Sequence, residues 1–319
     1  MKTTIITGGL GFIGTNLVLS LLKKDRNIII IDNSSSASKE NIKLLAKKNV
    51  LILNHDITEV LPHSLTGIDE IYNLACPASP KTYQKKPIKT LKTNFKGTLN
   101  MLEIAKKNNA KFLQASTSEI YGDPKQTPQK ETYTGNTKTT GRRSCYDEGK
   151  RVAETLCYEY QKQYNLNIKI IRIFNTYGPH MSENDGRVIP NMITQALSGE
   201  NITVYGTGLQ TRSFLYIDDL ISAIETYMEK QDLFLGPINI GSRKETTIKE
   251  LAEKIKKIIP ETKSKIIYQD LPEDDPKRRN PDTSLAEKTL GFKETTTLEK
   301  GLKKTIEYFK DIKNKKTTN

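Results

Sequence analysis

Short apolar runs alternate with amphipathic stretches through the first half of the chain. The runs are rich in Ile, Val and Leu, and the stretches between them carry apolar residues at helical spacing. Strands that are apolar on both faces belong to parallel sheets covered by helices on each side. The pattern therefore predicts an α/β fold with a doubly wound parallel sheet. The predicted strands are TTIIT, NIIIID, VLILNHD, EIYNLA, KFLQAS and IKIIRIFN.

The pattern changes after YGPHM, where loops and short elements replace the regular alternation. VIPNMITQALSG and IKELAEKIKKII are predicted helices, and ITVYG and PINIG are predicted short strands. These elements predict a smaller mixed α/β substrate-binding domain, interleaved with the first domain. The predicted division gives residues 1–177, with later contributions from about 208–240, to the first domain and mainly residues 178–319 to the second.

Composition narrows the functional class. The formal charge is +13, but the lysines are spread along helical faces in LLKKDRN, AKKNNAK and EKIKKIIP, so we expect no nucleic-acid partner. No apolar run approaches the roughly 20 residues of a membrane span. The first strand starts at residue 2, which predicts that no targeting segment precedes it. The Cys and His residues have no metal-ligand spacing, so we expect no metal, free thiols and a cytoplasmic location.

A glycine-rich strand–turn–helix sequence opens the chain. In TTIITGGLGFIG, Gly8, Gly11 and Gly14 follow the first predicted strand and open a helix. With Gly9 in place of Gly8, the run fits G-x-G-x-x-G, whose glycines bring the backbone close to a pyrophosphate at a helix N-terminus. Asp32 ends the second strand, where a carboxylate binds an adenosine ribose and repels the extra phosphate of NADP. The sequence thus predicts a Rossmann-type domain that binds NAD.

A tyrosine and a lysine share one face of a predicted helix. CYDEGK places Tyr146 four residues before Lys150. The pKa of an unperturbed tyrosine is about 10, and a nearby ammonium together with a positive nicotinamide would lower it. We therefore predict that the pair removes a proton from an alcohol while hydride leaves for NAD.

A carboxylate follows the fifth predicted strand. In LQASTSEIYG, Glu119 comes shortly after the apolar end of the strand. Charged groups are rare beside a core strand unless they are paired or functional. The carboxyl ends of parallel strands are where α/β folds bind ligands. We therefore expect Glu119 to belong to the site.

These motifs together resemble the extended short-chain dehydrogenases/reductases, the NAD-dependent epimerase/dehydratase family, and within it the UDP-glucuronic acid decarboxylases. The resemblance runs from residue 2 to about residue 310. The matching stretches are TGGLGFIG, HDITE, NLACPASP, PIKTLKTNFKGTLNML, ASTSEIYGDP, RSCYDEGKRVAETL, RIFNTYGP, NDGRVIPN, VYGTGLQTRSFLYIDDL and EDDPKRRNPD.

The resemblance implies conversion of UDP-glucuronic acid to UDP-xylose with NAD. The sugar would be oxidised at C4, lose carbon dioxide as a β-keto acid, and be reduced again at C4 by the same NADH. Related dehydratases carry an Asp at the position of Ser118, so the dehydration acid is missing, whereas Glu119 remains. The implied catalytic residues are Tyr146, Lys150, Thr117, Ser118, Glu119 and Arg279.

The resemblance also implies the residues that bind cofactor and substrate. Asp56 and Ile57 would flank the adenine, Tyr205 would lie near the uracil, and Arg279 would approach the substrate carboxylate or the protonation site. The implied cofactor residues are Gly8, Gly11, Phe12, Ile13, Gly14, Asp32, Asn33, Asp56, Ile57, Leu74, Ala75, Cys76, Thr93, Tyr146, Lys150 and Thr176. The implied substrate residues are Tyr83, Lys92, Glu119, Asn175, Arg187, Tyr205, Gln210, Arg212 and Arg279.

The sequence leaves several alternatives open. His180 stands where an arginine is common in the family, and Arg142 replaces a usual proline, which puts substrate detail in question. A relative that releases the 4-keto pentose or forms UDP-apiose would share most motifs. An inactive NAD- or RNA-binding protein is the non-enzymatic alternative, although the catalytic residues are present. The resemblance further implies a homodimer formed through helices near residues 88–107 and 146–164.

Overall fold

The fold is described by a computed structural model that covers residues 1–232, 236–270 and 278–317. Its strands are β1 (Lys2–Thr7), β2 (Arg26–Asp32), β3 (Leu51–Asn54), β4 (Glu70–Asn73), β5 (Lys111–Thr117), β6 (Ile168–Ile173), β7 (Thr176–Tyr177), β8 (Ile202–Tyr205), β9 (Thr211–Ser213), β10 (Leu215–Tyr216), β11 (Ile238–Ile240), β12 (Glu245–Thr247), β13 (Ile266–Gln269) and β14 (Arg278–Arg279).

Helices connect most of these strands. They are α1 (Phe12–Leu21), α2 (Lys39–Leu45), α3 (Pro80–Tyr83), α4 (Pro87–Lys92), α5 (Thr98–Asn108), α6 (Ser144–Tyr164), α7 (Val188–Ser198), α8 (Ile217–Glu229), α9 (Ile248–Ile258), α10 (Ser284–Leu290) and α11 (Leu298–Thr317). Short 3₁₀ turns occupy Leu22–Lys24 and Ser118–Tyr121, and a π-helical turn joins α4 to α5. Within the described ranges, no helix combines the length and apolar character that crossing a membrane requires.

Seven parallel strands form the central sheet, in the order β3-β2-β1-β4-β5-β6-β11. The order reverses at β1, which lies between β2 and β4. The residues of β4 are buried throughout, and those of β5 are buried after its first residue, because helices cover both faces of the sheet. The predicted doubly wound α/β fold is confirmed. Such a sheet opens a ligand crevice at the carboxyl ends of the strands beside the reversal.

The C-terminal half contributes to this sheet and shares its core. β11 joins the sheet edge beside β6. One cluster of buried apolar side chains continues from β1 and α1 through α8 to α7 and α9, and it includes Ile6, Leu17, Leu220, Ile193 and Leu251. The division of the chain into two domains near residue 177 stays a prediction.

Small sheets bring distant segments to the crevice. β9 lies between the antiparallel β12 and the parallel β14, with Arg212 opposite Arg279 in the register. β8 pairs with β13 and β7 pairs with β10, both in parallel. These pairings carry residues from the last third of the chain to the carboxyl edge of the central sheet.

A glycine lets α6 pack closely on the helical segment that contains α4 and α5. A Cβ at Gly149 would lie 2.8 Å from the side-chain nitrogen of Asn94, too close for two nonbonded atoms. Tyr146 and Lys150 flank this glycine on the same helix. The close approach therefore fixes the helix that carries the predicted catalytic pair.

Candidate active site

A cleft of about 990 Å³ lies at the carboxyl ends of the central strands and under the small sheets. Every predicted site residue lines it except Lys92. It includes Ser118, which is buried in the 3₁₀ turn after β5. It extends from the glycine turn at one end to the segments around Arg212 at the other.

The glycine turn lies between β1 and α1. Gly8 has a φ of +67°, and the Gly11 amide donates to its carbonyl at 3.1 Å. A Cβ at Gly14 would lie 2.2 Å from the same carbonyl, so only glycine lets α1 approach the turn. Phe12 and Ile13 open the helix, whose N-terminal amides face the cleft where a pyrophosphate would bind.

Asp32 ends β2 beside this turn. Its carboxylate accepts hydrogen bonds from the Leu10 amide at 3.0 Å and the Ser34 amide at 2.8 Å. Burial raises its pKa above the usual range, and the two amides oppose that effect. The carboxylate is thus fixed by backbone at the position where the fold binds an adenosine ribose.

Asp56 organises the adenine end of the cleft. Its carboxylate accepts from Lys89 Nζ, from Asn33 Nδ2 at 2.9 Å and from the Thr58 hydroxyl at 2.7 Å. Burial alone would raise the pKa of Asp56, but these donors outweigh it and hold the pKa well below its usual range. Ile57 lines the wall next to it.

The prediction for Lys92 needs correction. Its side chain is exposed on α4 and does not line the cleft, whereas Lys89, three residues earlier, does. Residues three apart lie on the same side of a helix only approximately, and here the register turns Lys89 inward. The ion pair between Lys89 and Asp56 was not predicted from the sequence.

The remaining predicted cofactor residues line the middle of the cleft. The Thr7 hydroxyl accepts from the Leu74 and Ala75 amides, each at 3.1 Å, which fixes the chain after β4. Burial raises the pKa of the Cys76 thiol, as expected for a packing residue rather than a nucleophile. Thr93 and Thr176 are buried nearby.

Tyr146, Lys150 and Thr117 meet at the centre of the cleft. Lys150 Nζ donates to the Ala115 carbonyl at 2.8 Å and lies 5.9 Å from the centroid of the Tyr146 ring. The Thr117 hydroxyl hydrogen-bonds Tyr146 and also accepts from the Glu119 amide at 3.2 Å. These contacts hold an acid–base group against the end of β5.

The protein's own groups do not produce the lowered Tyr146 pKa that the sequence predicts. Burial raises the pKa of Tyr146 well above its usual value, and the hydrogen bond with Thr117 opposes this effect. Desolvation penalises the phenolate because the ring is buried under neighbouring side chains. The Tyr83 ring stacks on it, with centroids 5.0 Å apart and planes at 9°.

Two arginine side chains form ion pairs with the Glu119 carboxylate. Arg279 contacts both of its carboxylate oxygens in a bidentate pair, and Arg143 contacts Oε2. Arg279 comes from β14, and Arg143 is the residue immediately before α6. The side chains of Glu119 and Arg279 are only 14% and 7% exposed, so this is a largely buried charge cluster.

Two further polar groups lie beside this cluster. Burial raises the pKa of Asp147 to about 6, although Arg143 and Arg279 oppose the shift. The Tyr83 hydroxyl is buried and has no hydrogen-bond partner among the described residues. Arg143 and Arg279 also act on the pKa of Tyr83, which burial raises. Arg143 and Asp147 were not predicted as site residues, although both lie within three residues of Tyr146.

Asn175 and Arg187 line the side of the cleft that faces the small sheets. Asn175 Nδ2 donates to the Ser213 carbonyl at 3.4 Å. Arg187 precedes α7, and its Nε lies 3.2 Å from a carboxylate oxygen of Asp185. Arg187 thus places a guanidinium beside the N-terminus of α7, and this combination suits an anionic ligand.

Tyr205, Gln210 and Arg212 form the far end of the cleft. Tyr205 is 43% exposed, and its carbonyl accepts from Gln210 Nε2 at 2.8 Å. Arg212 is buried on β9, and its Nη1 donates to the Thr211 carbonyl at 2.8 Å. The exposed ring suits a nucleotide base, and the buried guanidinium in the same cleft suits a phosphate.

The two sequence departures lie in different surroundings. Arg142 is exposed and lines the cleft next to Arg143. His180 packs edge-on against Tyr308 of α11, with ring centroids 4.9 Å apart, and burial lowers its pKa. Its carbonyl accepts from Asn41 Nδ2 at 3.1 Å, so backbone contacts hold this loop where the family commonly uses an arginine.

The cysteines and the possible metal ligands were also located. Cys76, Cys145 and Cys157 are free. In the described part of the chain, no group of three or more His, Cys, Asp or Glu side chains could hold a metal ion.

Comparison with known proteins identifies the family. The sequence profile of the NAD dependent epimerase/dehydratase family matches residues 4–241, which is most of the chain. The chain belongs to this family. This family member is 46% identical to UDP-glucuronic acid decarboxylase 1 of Danio rerio over 309 residues, covering 97% of this chain and 72% of that protein. It is 49% identical to UDP-glucuronic acid decarboxylase 3 of Arabidopsis thaliana over 301 residues, covering 93% of this chain and 86% of that one.

A solved structure of the same family agrees with the fold. The UDP-glucuronic acid 4-epimerase of Bacillus cereus, in complex with UDP-glucuronic acid and NAD, matches with a TM-score of 0.86 at 28% identity. The match covers 97% of this chain and 99% of the epimerase. The predicted membership in the extended short-chain dehydrogenases/reductases is confirmed.

NAD is the cofactor of this epimerase/dehydratase family member. The cleft fits it on its own geometry, because the turn at Gly8 and Gly14 leaves no room for a Cβ where a pyrophosphate approaches. The fixed carboxylate of Asp32 suits the ribose, and the polar end around Asp56 suits the adenine.

Proposed function

We propose that this protein converts UDP-glucuronic acid to UDP-xylose and carbon dioxide with tightly bound NAD. The observation that carries the proposal is the buried pair of Glu119 and Arg279 beside Tyr146, Lys150 and Thr117. A 4-epimerization needs the acid–base group, whereas a decarboxylation also needs charged groups around C5. The names of the relatives at 46% and 49% identity support the same reaction.

The first step is removal of the proton from the C4 hydroxyl. The Tyr146 phenolate takes this proton and becomes the neutral hydroxyl. Thr117 holds the Tyr146 oxygen, and the Lys150 ammonium stabilises the phenolate before the transfer. NAD bound along the cleft supplies the hydride acceptor for C4 and later returns the hydride. Burial of Tyr146 keeps water away from the exchange.

The second step is loss of carbon dioxide from the resulting 4-keto acid. The ketone at C4 accepts the electron pair of the broken bond between C5 and the carboxyl carbon, so the protein needs only to orient that bond and stabilise the enolate. Arg279 binds the carboxylate side and Glu119 holds the ring. Ser118 supplies no dehydration acid at this position, in agreement with decarboxylation rather than loss of water.

The third step returns a proton to C5 and an alcohol to C4. A water held at Glu119 protonates C5, and the hydroxide left behind takes a proton from solvent, which is the proton that the overall decarboxylation consumes. The Tyr146 hydroxyl returns its proton to the C4 oxygen. The nucleotide is held meanwhile by the far end of the cleft. There Arg187 and Arg212 bind the diphosphate, Gln210 binds the ribose and Tyr205 packs on the uracil.

The decisive experiment incubates the purified protein with UDP-glucuronic acid and follows products by proton NMR and mass spectrometry. UDP-xylose without net accumulation of NADH is the expected result. The 4-keto pentose with stoichiometric NADH, or UDP-apiose, would contradict the final reduction and move the protein to a related reaction. UDP-galacturonic acid as the only product would instead make the protein a 4-epimerase.

We also propose that the protein is a homodimer that pairs through α4, the following π turn and α6. Ile88, Leu91 and Phe95 are exposed by 69%, 42% and 49% and share one face of the helical segment. Tyr158 is 48% exposed on α6, which packs beside α4. A second copy of the chain covers such an apolar face more favourably than water does. A cytoplasmic location stays a prediction.

Sedimentation equilibrium tests the dimer. Phe95→Glu is expected to shift the protein toward the monomer because the charge would be buried in the interface. Tyr268→Glu is the matched control, since Tyr268 is 52% exposed on β13 and away from these helices. A monomeric wild-type protein, or equal dissociation in both variants, would contradict the interface.

A further inference from the structure

Arg143 occupies an unusual position in the charge cluster of the cleft. It lies next to the first turn of α6, the turn that carries Tyr146, and its side chain is only 20% exposed. Its guanidinium contacts Glu119 Oε2, which Arg279 Nη2 contacts as well. One carboxylate is therefore shared by two guanidinium groups that arrive from α6 and from β14.

Further charged groups lie around this carboxylate. Two guanidinium groups face Glu119, and Asp147 lies beside them, with a pKa that burial raises to about 6. Both guanidinium groups carry a positive charge at neutral pH. The Lys150 ammonium adds to this charge, although its nitrogen is bonded to the Ala115 carbonyl. Several cationic side chains in one part of the cleft suit an anionic ligand.

A polar group that suits a ligand lies in the same place. The Tyr83 hydroxyl is buried, lines the cleft and has no hydrogen-bond partner in the described part of the chain. Arg143 and Arg279 line the same cleft, and their charges oppose the rise in the pKa of this hydroxyl that burial causes. A buried hydroxyl without a partner is unfavourable, and a ligand oxygen would satisfy it.

We propose that Arg143 is a specificity residue that binds the carboxylate of the sugar together with Arg279, and that Glu119 takes this carboxylate's place until the ligand binds. The inference rests on the proposed function, because UDP-glucuronic acid supplies the carboxylate. The ligand's carboxylate displaces Glu119 from Arg143, and Glu119 then turns to the sugar ring. Guanidinium groups suit this exchange because their planar fork matches a carboxylate in either partner.

The test compares two ligands that differ only in the carboxylate. UDP-glucuronic acid and UDP-xylose are titrated by calorimetry into NAD-loaded protein in a Tyr146→Phe background, which prevents turnover. Arg143→Gln is expected to weaken the binding of UDP-glucuronic acid roughly tenfold or more, because a charged hydrogen bond is lost. The affinity for UDP-xylose is expected to change less than about twofold. Arg143→Lys is expected to fall between, because it keeps the charge but loses the fork.

A second variant, Glu119→Gln, distinguishes an exchange of carboxylates from a role of Glu119 in positioning the sugar. The two roles predict changes of opposite direction in the affinity for UDP-glucuronic acid. Glu119→Gln is expected to tighten the binding of UDP-glucuronic acid roughly fivefold relative to that of UDP-xylose. The reason is that the charged Glu119 carboxylate no longer competes with the ligand for Arg143. If Glu119 only positions the sugar, the same variant would weaken both ligands, and that result would overturn the exchange. Lys162→Gln, which removes an exposed charge near the end of α6, is the matched control and is expected to leave both affinities unchanged.

Other outcomes are equally decisive. Equal weakening of both ligands by Arg143→Gln would make Arg143 a structural residue and overturn its role in specificity. Bound NAD and the midpoint of thermal unfolding, measured for each variant, identify a fold defect, and Arg143→Lys then carries the comparison. If the Tyr146→Phe parent binds UDP-xylose but not UDP-glucuronic acid, and the wild type releases no carbon dioxide, the proposed function itself fails.

Discussion

The two ends of the cleft are built in different ways. The nucleotide end is mainly backbone, because the turn at Gly8 and the amides around Asp32 come from the first strand–turn–helix unit and the strand after it. The sugar end is made of side chains that are distant in sequence, with Glu119 after β5, Arg143 before α6 and Arg279 on β14. One end is local in sequence, and the other exists only in the folded chain.

This difference separates what each end contributes. Backbone amides and glycines have a fixed geometry, so they bind a cofactor that stays in place through the reaction. Buried charges depend on their neighbours, so their pKa values and partners change when a charged ligand arrives. The variants below test whether binding of cofactor and chemistry on the sugar can be lost separately.

The largest expected effect is loss of chemistry with cofactor binding intact. Tyr146→Phe removes the acid–base group and is expected to lower the decarboxylation rate by a factor of roughly 10³ or more. The content of bound NAD is expected to stay within about twofold of wild type, because the ring remains. Tyr164→Phe at the end of α6 is the control. A parallel loss of NAD and activity would show that the two ends are not separable.

A pH-dependent effect is expected at the sugar end. The folded protein raises the pKa of Asp147 from an unfolded value near 4 to about 6, so the folded state binds its proton more tightly. The contribution of this group to the free energy of unfolding is therefore most favourable below about pH 4 and falls as the pH rises toward 6. The two-unit difference corresponds to about 3 kcal/mol.

Asp147→Asn removes this titration. The stability of the variant relative to wild type, measured by urea unfolding, is expected to rise by up to about 3 kcal/mol between pH 4 and pH 7. A difference that stays constant over this range would mean that Arg143 and Arg279 keep Asp147 ionised in the folded state. At the nucleotide end, donors hold the pKa of Asp56 low, so the contribution of that group to stability is lost only as the pH falls below about 4.

Weaker binding of NAD is expected from a change in the glycine turn. Gly14→Ala would place a Cβ 2.2 Å from the Gly8 carbonyl, so α1 must shift away from the turn. Overpacking of this kind costs about 1–3 kcal/mol, which corresponds to roughly 5- to 150-fold weaker NAD binding. Gly291→Ala is the control, because its φ of 65° strains the backbone while its Cβ meets nothing within 4 Å. Equal loss of NAD in both variants would assign the effect to stability alone.

The same difference explains how far the sequence could be interpreted. The strands, the glycine turn and Asp32 follow from local periodicity and spacing, and the doubly wound sheet is confirmed. Arg143 gave no local signal, because a basic residue before a helix is usually a surface residue. Its contact with Glu119 depends on how α6 crosses the end of β5.

Lys92 shows the opposite case, a residue that the resemblance implied but that does not line the cleft. The family resemblance pointed to a lysine in PIKTLKTN, but the direction of a side chain on α4 depends on how the helix rotates against its neighbours. Tertiary packing turned Lys89 to the cleft instead. Likewise, the expected fall of the Tyr146 pKa concerned the lysine ammonium and the positive nicotinamide, whereas burial dominates among the protein's own groups.

The smallest expected effect concerns a side-chain pair within the backbone-built end. Lys89→Gln removes the ion pair with Asp56, whose two side chains are 33% and 23% exposed. Ion pairs with this access to water contribute roughly 0.2–1 kcal/mol, so NAD binding is expected to weaken by at most about fivefold, without change in the rate of the bound enzyme. Lys92→Gln on the same helix is the matched control and is expected to change nothing at the adenine end. A larger effect from Lys92→Gln would reverse the assignment, and a strong effect from Lys89→Gln would mean that long-range charges hold the nucleotide end together as they do the sugar end.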